Sequence, residues 1–207
     1  MRNVKIFLYK LFRLIKSKMD KFFISIQNEY YNSKLNSKNK LRCGKNVFIS
    51  GINKLEIGNN VYIGSNSFIR AEGGVKLGDN VIISRNVVIY SHSHNYEGEY
   101  LPFDNTYKYK PVIIEDNVWI GMNVTIAPGT YIGEGSIIGI GARIFGKIPS
   151  FSIVGSNGKI IKTRNIEHYK QLKKENKFAD DDGNPAKEGN NGWNKNWKYN
   201  TIYRIYY

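Results

Sequence analysis

From Ile57 to Pro149 an aliphatic residue returns every six positions. It does so at Ile57, Ile63 and Ile69, at Leu77, Ile83 and Ile89, and at Ile114, Ile120, Ile126, Ile132, Ile138 and Ile144. A second small or branched residue follows four positions later, as in Val61, Ser67, Val81, Val87, Val118, Val124, Thr130, Ser136 and Ala142. Neither the 3.6-residue period of a helix nor the two-residue period of an alternating strand yields six. A short fixed repeat with a buried aliphatic in each unit specifies an all-β solenoid. Six residues make one flat face and one turn, three units close a triangular coil, and both recurring positions point inward. The Gly, Asn and Asp residues between them suit turns, because they tolerate positive φ at low cost.

Two breaks in the period are informative. Ile69 and Leu77 are eight apart, so Ala71-Glu72-Gly73-Gly74 bulges by two residues at a corner. Between Ile89 and Ile114 the chain leaves the coil as a loop over 95–113, and a loop this long in a compact fold commonly carries function. The expected organisation is an arm over 1–40, a solenoid domain over 41–164 with that loop, and a helix and tail over 165–207.

The charge of +14 is unevenly spread. Twelve Lys/Arg face two acidic residues in 1–45, eight face nine in 46–158, and eleven face six in 159–207. The solenoid is neutral and the arms are basic. Nucleic acid is not expected as a partner, since the solenoid offers neither a recognition helix nor a basic stripe. In the first arm Val4, Leu8, Leu11, Ile15, Met19, Phe22 and Ile26 recur at steps of three and four, with lysines and arginines between them. That is an amphipathic helix. It suits either the open end of the solenoid, which needs covering, a partner subunit, or an anionic membrane surface contacted through residues 1–30. After Pro149, residues 151–164 read as strand-turn-strand and 165–177 as a helix capped by Asn165. The tail beyond is polar, then aromatic, with Trp193, Trp197 and Tyr203. The lone Cys43 fits a reducing cytoplasm. No apolar run reaches transmembrane length, and no signal-peptide cleavage site is seen at the start.

The histidines are the candidate chemistry. His92 and His94 lie in Tyr90-Ser91-His92-Ser93-His94-Asn95 at the mouth of the loop, two apart and so on one side of an extended segment. Three readings stand. Zinc wants three or four ligands and finds two here. Both rings could anchor the loop through hydrogen bonds. Either ring could serve as a general base near neutral pH. His168 reads as a surface residue of the C-terminal helix.

The hexads, the histidine exit into a long loop, and the return through Lys110-Pro111-Val112-Ile113-Ile114-Glu115-Asp116-Asn117-Val118-Trp119-Ile120-Gly121 resemble the hexapeptide-repeat acetyltransferases. Within that family they are most similar to the sugar O-acetyltransferases acting on maltose, galactosides, capsule or colanic acid. The resemblance implies a left-handed parallel β-helix, an exception to the usual right-handed crossover, with an N-terminal amphipathic helix and a C-terminal helix and tail. It implies acetyl-CoA as co-substrate, no metal, and a homotrimer with each site in a groove between neighbouring solenoids. His94 matches the family's catalytic base, with His92 as second candidate. Glu72 and Trp119 match positions near the acceptor sugar. Gly121, Met122, Ile140, Gly141, Lys147, Gly155 and Lys159 fall where relatives hold coenzyme A, with the oxyanion donor near Gly121 or Met122. The acceptor would be a sugar hydroxyl of a surface polysaccharide or its precursor, and the location cytoplasmic, at the inner face of the membrane. An N-acetyltransferase on an amino-sugar, an antibiotic acetyltransferase and a non-catalytic scaffold are the alternatives.

Overall fold

The structure is a computed structural model and describes residues 2–35, 37 and 39–178. The aromatic stretch with Trp193, Trp197 and Tyr203 lies outside the described residues. The chain opens with α1 (Arg2–Lys34) and then winds as a left-handed parallel β-helix. The first coil is β1 (Leu41–Cys43), β2 (Phe48–Ser50) and β3 (Leu55–Ile57), and the second is β4 (Val61–Ile63), β5 (Phe68–Arg70) and β6 (Val75–Leu77). The third is β7 (Ile82–Ile83), β8 (Val88–Tyr90), an inserted pair β9 (His92–His94) and β10 (Tyr107–Tyr109), then β11 (Val112–Ile114). The fourth is β12 (Trp119–Ile120), β13 (Thr125–Ile126) and β14 (Tyr131–Ile132), and the fifth β15 (Ile137–Ile138), β16 (Arg143–Ile144) and β17 (Lys147–Ile148). The chain leaves through β18 (Ser152–Val154), β19 (Ile160–Thr163) and α2 (Ile166–Lys174). The repeat thus begins at β1, one coil earlier than the run of hexads starting at Ile57.

Equivalent strands pair in parallel and make three faces. Face A holds β1, β4, β7, β12, β15 and β18, face B holds β2, β5, β8, β13 and β16, and face C holds β3, β6, β11, β14 and β17. Like stacks on like inside: Ile63, Ile83, Ile120 and Ile138 line face A, and Ile69, Ile89, Ile126 and Ile144 line face B, all essentially buried. The second inward position fills the corners, and Val61, Ser67, Val81, Val87, Val118, Val124, Thr130, Ser136 and Ala142 are all buried. Removing a side chain such as Ile120 leaves a cavity that flanking coils cannot close, a cost of about 2–5 kcal/mol.

The corners differ in chemistry. Between faces A and B the left-handed position is Asn46, Asn66, Asn86 and Asn123, then Gly141. Between C and A it is Asn60, Asn80 and Asn117, then Gly135. The asparagine amides bond to one another from coil to coil, Asn80 to Asn117 at 3.0 Å and Asn86 to Asn123 at 3.0 Å. Every change of coil length falls at the third corner, between B and C. Register partners there run Val75 with Leu55, Val112 with Val75, Tyr131 with Ile113, and Lys147 with Tyr131. Against an 18-residue coil, the first two coils carry two extra residues, the third carries the hairpin, and the fifth drops two.

Side chains of α1 close the open end. Asn28 Oδ1 accepts from Cys43 N (2.6 Å) while its Nδ2 donates to Cys43 O (3.1 Å); Asn32 does the same with Leu41 (2.8 and 2.9 Å). Four helical residues rise ~6 Å and two strand residues ~6.6 Å, so amides at this spacing match successive pairing sites on one strand edge. Tyr31 treats β2 alike, its hydroxyl donating to Val47 O (2.9 Å) and accepting from Ile49 N (3.1 Å). Only Tyr31 of α1 is buried. We predict that Asn28→Ala with Asn32→Ala lowers stability by about 2–4 kcal/mol, measured as a melting-temperature drop of roughly 5–15 °C. An unchanged melt would show that the edge needs no such partner.

Candidate functional site

The corner between B and C stacks three irregular pieces: a 3-10 turn (Ile52–Lys54), the Ala71–Gly74 bulge, and the β9–β10 hairpin. Gly51 and Gly74 sit at positive φ there. A side chain at Gly73 would collide with Ser91 O at 1.9 Å, so the bulge lies directly against the foot of the hairpin. Ser91 ties the two together, its Oγ donating to Arg70 O (2.7 Å) and accepting from Gly73 N (2.8 Å).

The two histidines are not left in an open loop. They lie on β9, paired antiparallel with β10, His92 opposite Tyr109 and His94 opposite Tyr107. The excursion from the coil therefore starts earlier than 95, and its connection is 95–106. Asp104 braces that connection by accepting from Thr106 N (2.9 Å) and Glu99 N (3.3 Å).

The rings have opposite environments. His92 is 5% exposed. Its Nε2 lies 3.3 Å from a guanidinium nitrogen of Arg70, and its Nδ1 lies 3.4 Å from Glu72 Oε2. Arg70 also donates to Glu72 Oε1 at 2.9 Å. Arginine can only donate, so Nε2 is the acceptor and Nδ1 carries the hydrogen toward Glu72. Burial pushes the His92 pKa below its usual 6.5, Arg70 and His94 add to that, and Glu72 opposes it. Burial works against ionisation of Glu72, but polar contacts with Ser50 and Arg70 outweigh it and hold the carboxyl below its usual range. His94 is exposed, with its ring stacked on Phe103 (centroids 4.0 Å, 22°) and against Tyr107 (4.7 Å). Stacking orients this imidazole while leaving its edge open.

Face A carries the cleft. The outward row Tyr62, Ile82, Trp119, Ile137 and Ile153 runs down it in register. Trp119 donates from Nε1 to Ser84 Oγ (3.2 Å) and divides the face in two. On the side toward face B is a cleft of about 590 Å³, lined by Trp119, Gly121, Met122, Ile140 and Gly155 with Arg85 and Lys162 at its margins. On the other side is a cleft of about 640 Å³ under α2, which is held by Tyr169 bonding to Glu134 (2.8 Å) and accepting from Asn117 (2.7 Å). Asn165 caps α2 by accepting from His168 N (3.0 Å), and His168 is exposed.

The sequence-selected residues therefore fall into separate places. His92, His94 and Glu72 share the B–C corner. Trp119, Gly121, Met122, Ile140 and Gly155 share the cleft on face A, opposite that corner in the triangular section. Gly141 follows Ile140 in the same turn, open to solvent. Lys147 stands on face C with its ammonium 5.5 Å from the Tyr131 ring centre, and Lys159 lies at the β18–β19 turn, where its carbonyl accepts from Gly155 N (2.9 Å). The Gly121 N–H is committed to Ile138 O (2.8 Å). Cys43 is buried, and burial pushes its thiol up to about 12, out of nucleophilic range. Among the described residues no cluster of three or more His, Cys, Asp or Glu is placed to hold a metal. Arg70 and Lys162 are residues that sequence reasoning does not put forward. Arg70 precedes the bulge by two positions, a signal available in the sequence once Glu72 is singled out.

Two family models match, one described as bacterial transferase hexapeptide (six repeats) over residues 111–146 and one as hexapeptide repeat of succinyl-transferase over 54–91. A putative lipopolysaccharide biosynthesis O-acetyl transferase, WbbJ of Escherichia coli, is 36% identical over 88 residues, covering 42% of this chain and 45% of that protein. The chain spans about half or less of the length of the curated relatives it matches. A maltose O-acetyltransferase from Clostridium difficile 630 superposes with a TM-score of 0.60 at 25% identity, covering 71% of this chain and 83% of that one. A galactoside acetyltransferase in complex with coenzyme A gives 0.53 at 32% identity, over 59% and 62%.

His92 yields a pH prediction. The folded ring resists protonation, whereas in the unfolded chain it takes up a proton below about 6.5. Its contribution to stability is thus full above that pH and is lost as pH falls toward the folded value. The melting temperature of the wild type should fall through this window more steeply than that of His92→Gln. Parallel curves would show that His92 titrates alike in both states.

Proposed function

We propose, from the two hexapeptide-repeat models that match residues 54–91 and 111–146, that the chain is an acetyl-CoA-dependent O-acetyltransferase acting on a sugar hydroxyl of a surface polysaccharide or its precursor. The domain doing this work is 41–164. The observation that carries the reading is the contrast between the two imidazoles on β9: one is buried between Glu72 and Arg70, the other is oriented by stacking and open at its edge. His94 is the base and His92 a positioning residue. The acceptor class follows the names of the similar proteins, a maltose O-acetyltransferase, a galactoside acetyltransferase and a putative O-acetyl transferase of lipopolysaccharide biosynthesis.

The residues support a direct transfer. His94 takes the proton of the acceptor hydroxyl as that oxygen bonds to the thioester carbonyl carbon. The tetrahedral oxyanion accepts from the Met122 N–H. When it collapses, the C–S bond breaks, and the proton held on His94 passes to the departing thiolate. The apolar cleft along Trp119, Ile137 and Ile153 suits the extended arm of coenzyme A. Arg85 and Lys162 at its margins suit the phosphates better than Lys147, which stands on another face.

Since the histidine corner and the cleft lie on opposite sides of one prism, we place the site between two copies of a homotrimer. The corner of one copy faces the cleft of the next. We also place the enzyme in the cytoplasm, at the inner membrane face, with contact through residues 1–30. No described helix is long and apolar enough to cross a membrane.

His94→Ala should lower turnover by about two to four orders of magnitude, with acetyl-CoA binding by calorimetry and the melting curve unchanged. Turnover close to wild type in the folded variant would remove His94 from the role.

A further inference from the structure

We infer that α1 is a two-sided bracket whose outer face rests on an anionic lipid bilayer. This refines the proposed membrane contact and does not depend on the acyl-transfer reading. One side of the helix is accounted for. Gln27, Asn28, Tyr31 and Asn32 grip the ends of the first coil. At 100° per residue these four lie within an arc of about 140°. The apolar residues of the preceding turns are centred about half a turn away from them, so the contact that seats α1 turns its apolar arc outward.

That arc is bare. Val4, Phe7, Leu8, Phe12, Phe22 and Phe23 are each 56–65% exposed. With their neighbours they present on the order of 1,000 Å² of apolar surface, beyond the ~300–600 Å² that is the largest patch of an ordinary monomer. A partner must cover it, and two features select lipid. The first is charge. Residues 2–26 carry seven Lys/Arg against Asp20, and Asp20 is paired with Lys45 at 2.7 Å. Lys5 and Lys16 border one flank of the arc, Lys10 and Lys21 the other, which is the headgroup level of a helix lying in the interface. The second is the shape of the arc. A second copy pairing along the seam of Val4, Leu8, Leu11 and Ile15 would next require apolar residues at 18 and 22, then 25. Lys18 and Ser25 occupy two of those three positions. The apolar arc also spans about half the circumference, wider than a two-helix seam uses. Four aromatic rings, Phe7, Phe12, Phe22 and Phe23, stand in it.

The test is cosedimentation of the full chain with vesicles of phosphatidylcholine, alone or mixed with phosphatidylglycerol, at low and high salt. The bracket predicts binding to the mixed vesicles that falls at least about tenfold on phosphatidylcholine alone and weakens with salt. Leu11→Glu with Phe22→Glu should abolish it while leaving the melting curve and acetyl-CoA binding intact. Wild type that ignores anionic vesicles, or that binds both kinds equally and regardless of salt, overturns the inference. So does a folded double variant that binds like wild type. If the wild type shuns vesicles and the double variant instead elutes as a smaller species, the face joins copies of this chain and the inference falls. Should the double variant not fold, the wild-type lipid and salt series decides the matter. Loss of turnover in His94→Ala has no bearing on vesicle binding, so the two readings fail separately.

Discussion

Each inward side chain of this protein rests on its equivalent one coil away, and the backbone bonds between coils hold only while that register is kept. A coil cannot gain a residue on a face without turning its aliphatics outward. Length can change only at corners. Here two corners are occupied by asparagines whose amides bond up the axis, which fixes their geometry from coil to coil. The third has no such ladder and uses glycine at its left-handed positions. It is this corner that takes up every insertion, and it is there that the histidines stand.

The same constraint separates the histidine corner from the cleft. The insertion corner can project a hairpin because it is released from the stacking rule. Face A, opposite it, keeps regular strands and so offers a straight cleft bordered by repeated turns. In the proposed function neither is complete alone. One presents an oriented imidazole with little around it but aromatic rings; the other presents an apolar channel with cations at its margins. The ends of the solenoid follow from the same physics, because a stacked coil always leaves one unpaired edge. Asn28, Asn32 and Tyr31 meet it with side chains spaced to imitate a strand. At the far end β19 pairs back on β18 and α2 is tied down through Tyr169.

Much of this was legible in the residues themselves. Twelve phased aliphatics define the solenoid, the eight-residue step after Ile69 locates the bulge, and Asn165 marks the start of α2. What escaped has a common cause. The phased hexads start only at Ile57, and the first coil, with Cys43 and Ile49 at the opening positions, is reached only through the expected domain start at 41. The fate of His92 and His94 depends on Arg70 and Glu72, which stack beneath them only because coils repeat every 20 residues there, a relation between distant positions. Lys147 is well placed in the linear sequence, yet the two residues lost from the fifth coil set it on face C. Apolar spacing announced α1, but that its polar amides, rather than its apolar stripe, would face the solenoid is a property of the strand edge it meets.

In the proposed function one working site draws His94 from one copy and the cleft from the next. The most direct measurement mixes two inactive variants, His94→Ala and a cleft-blocked Ile140→Arg, after unfolding and refolding them together. Mixed trimers would contain some interfaces with an intact histidine corner facing an intact cleft, so activity should reappear in the mixture though absent from either parent. A mixture that forms hybrid oligomers and stays as inactive as its parents would contradict the claim.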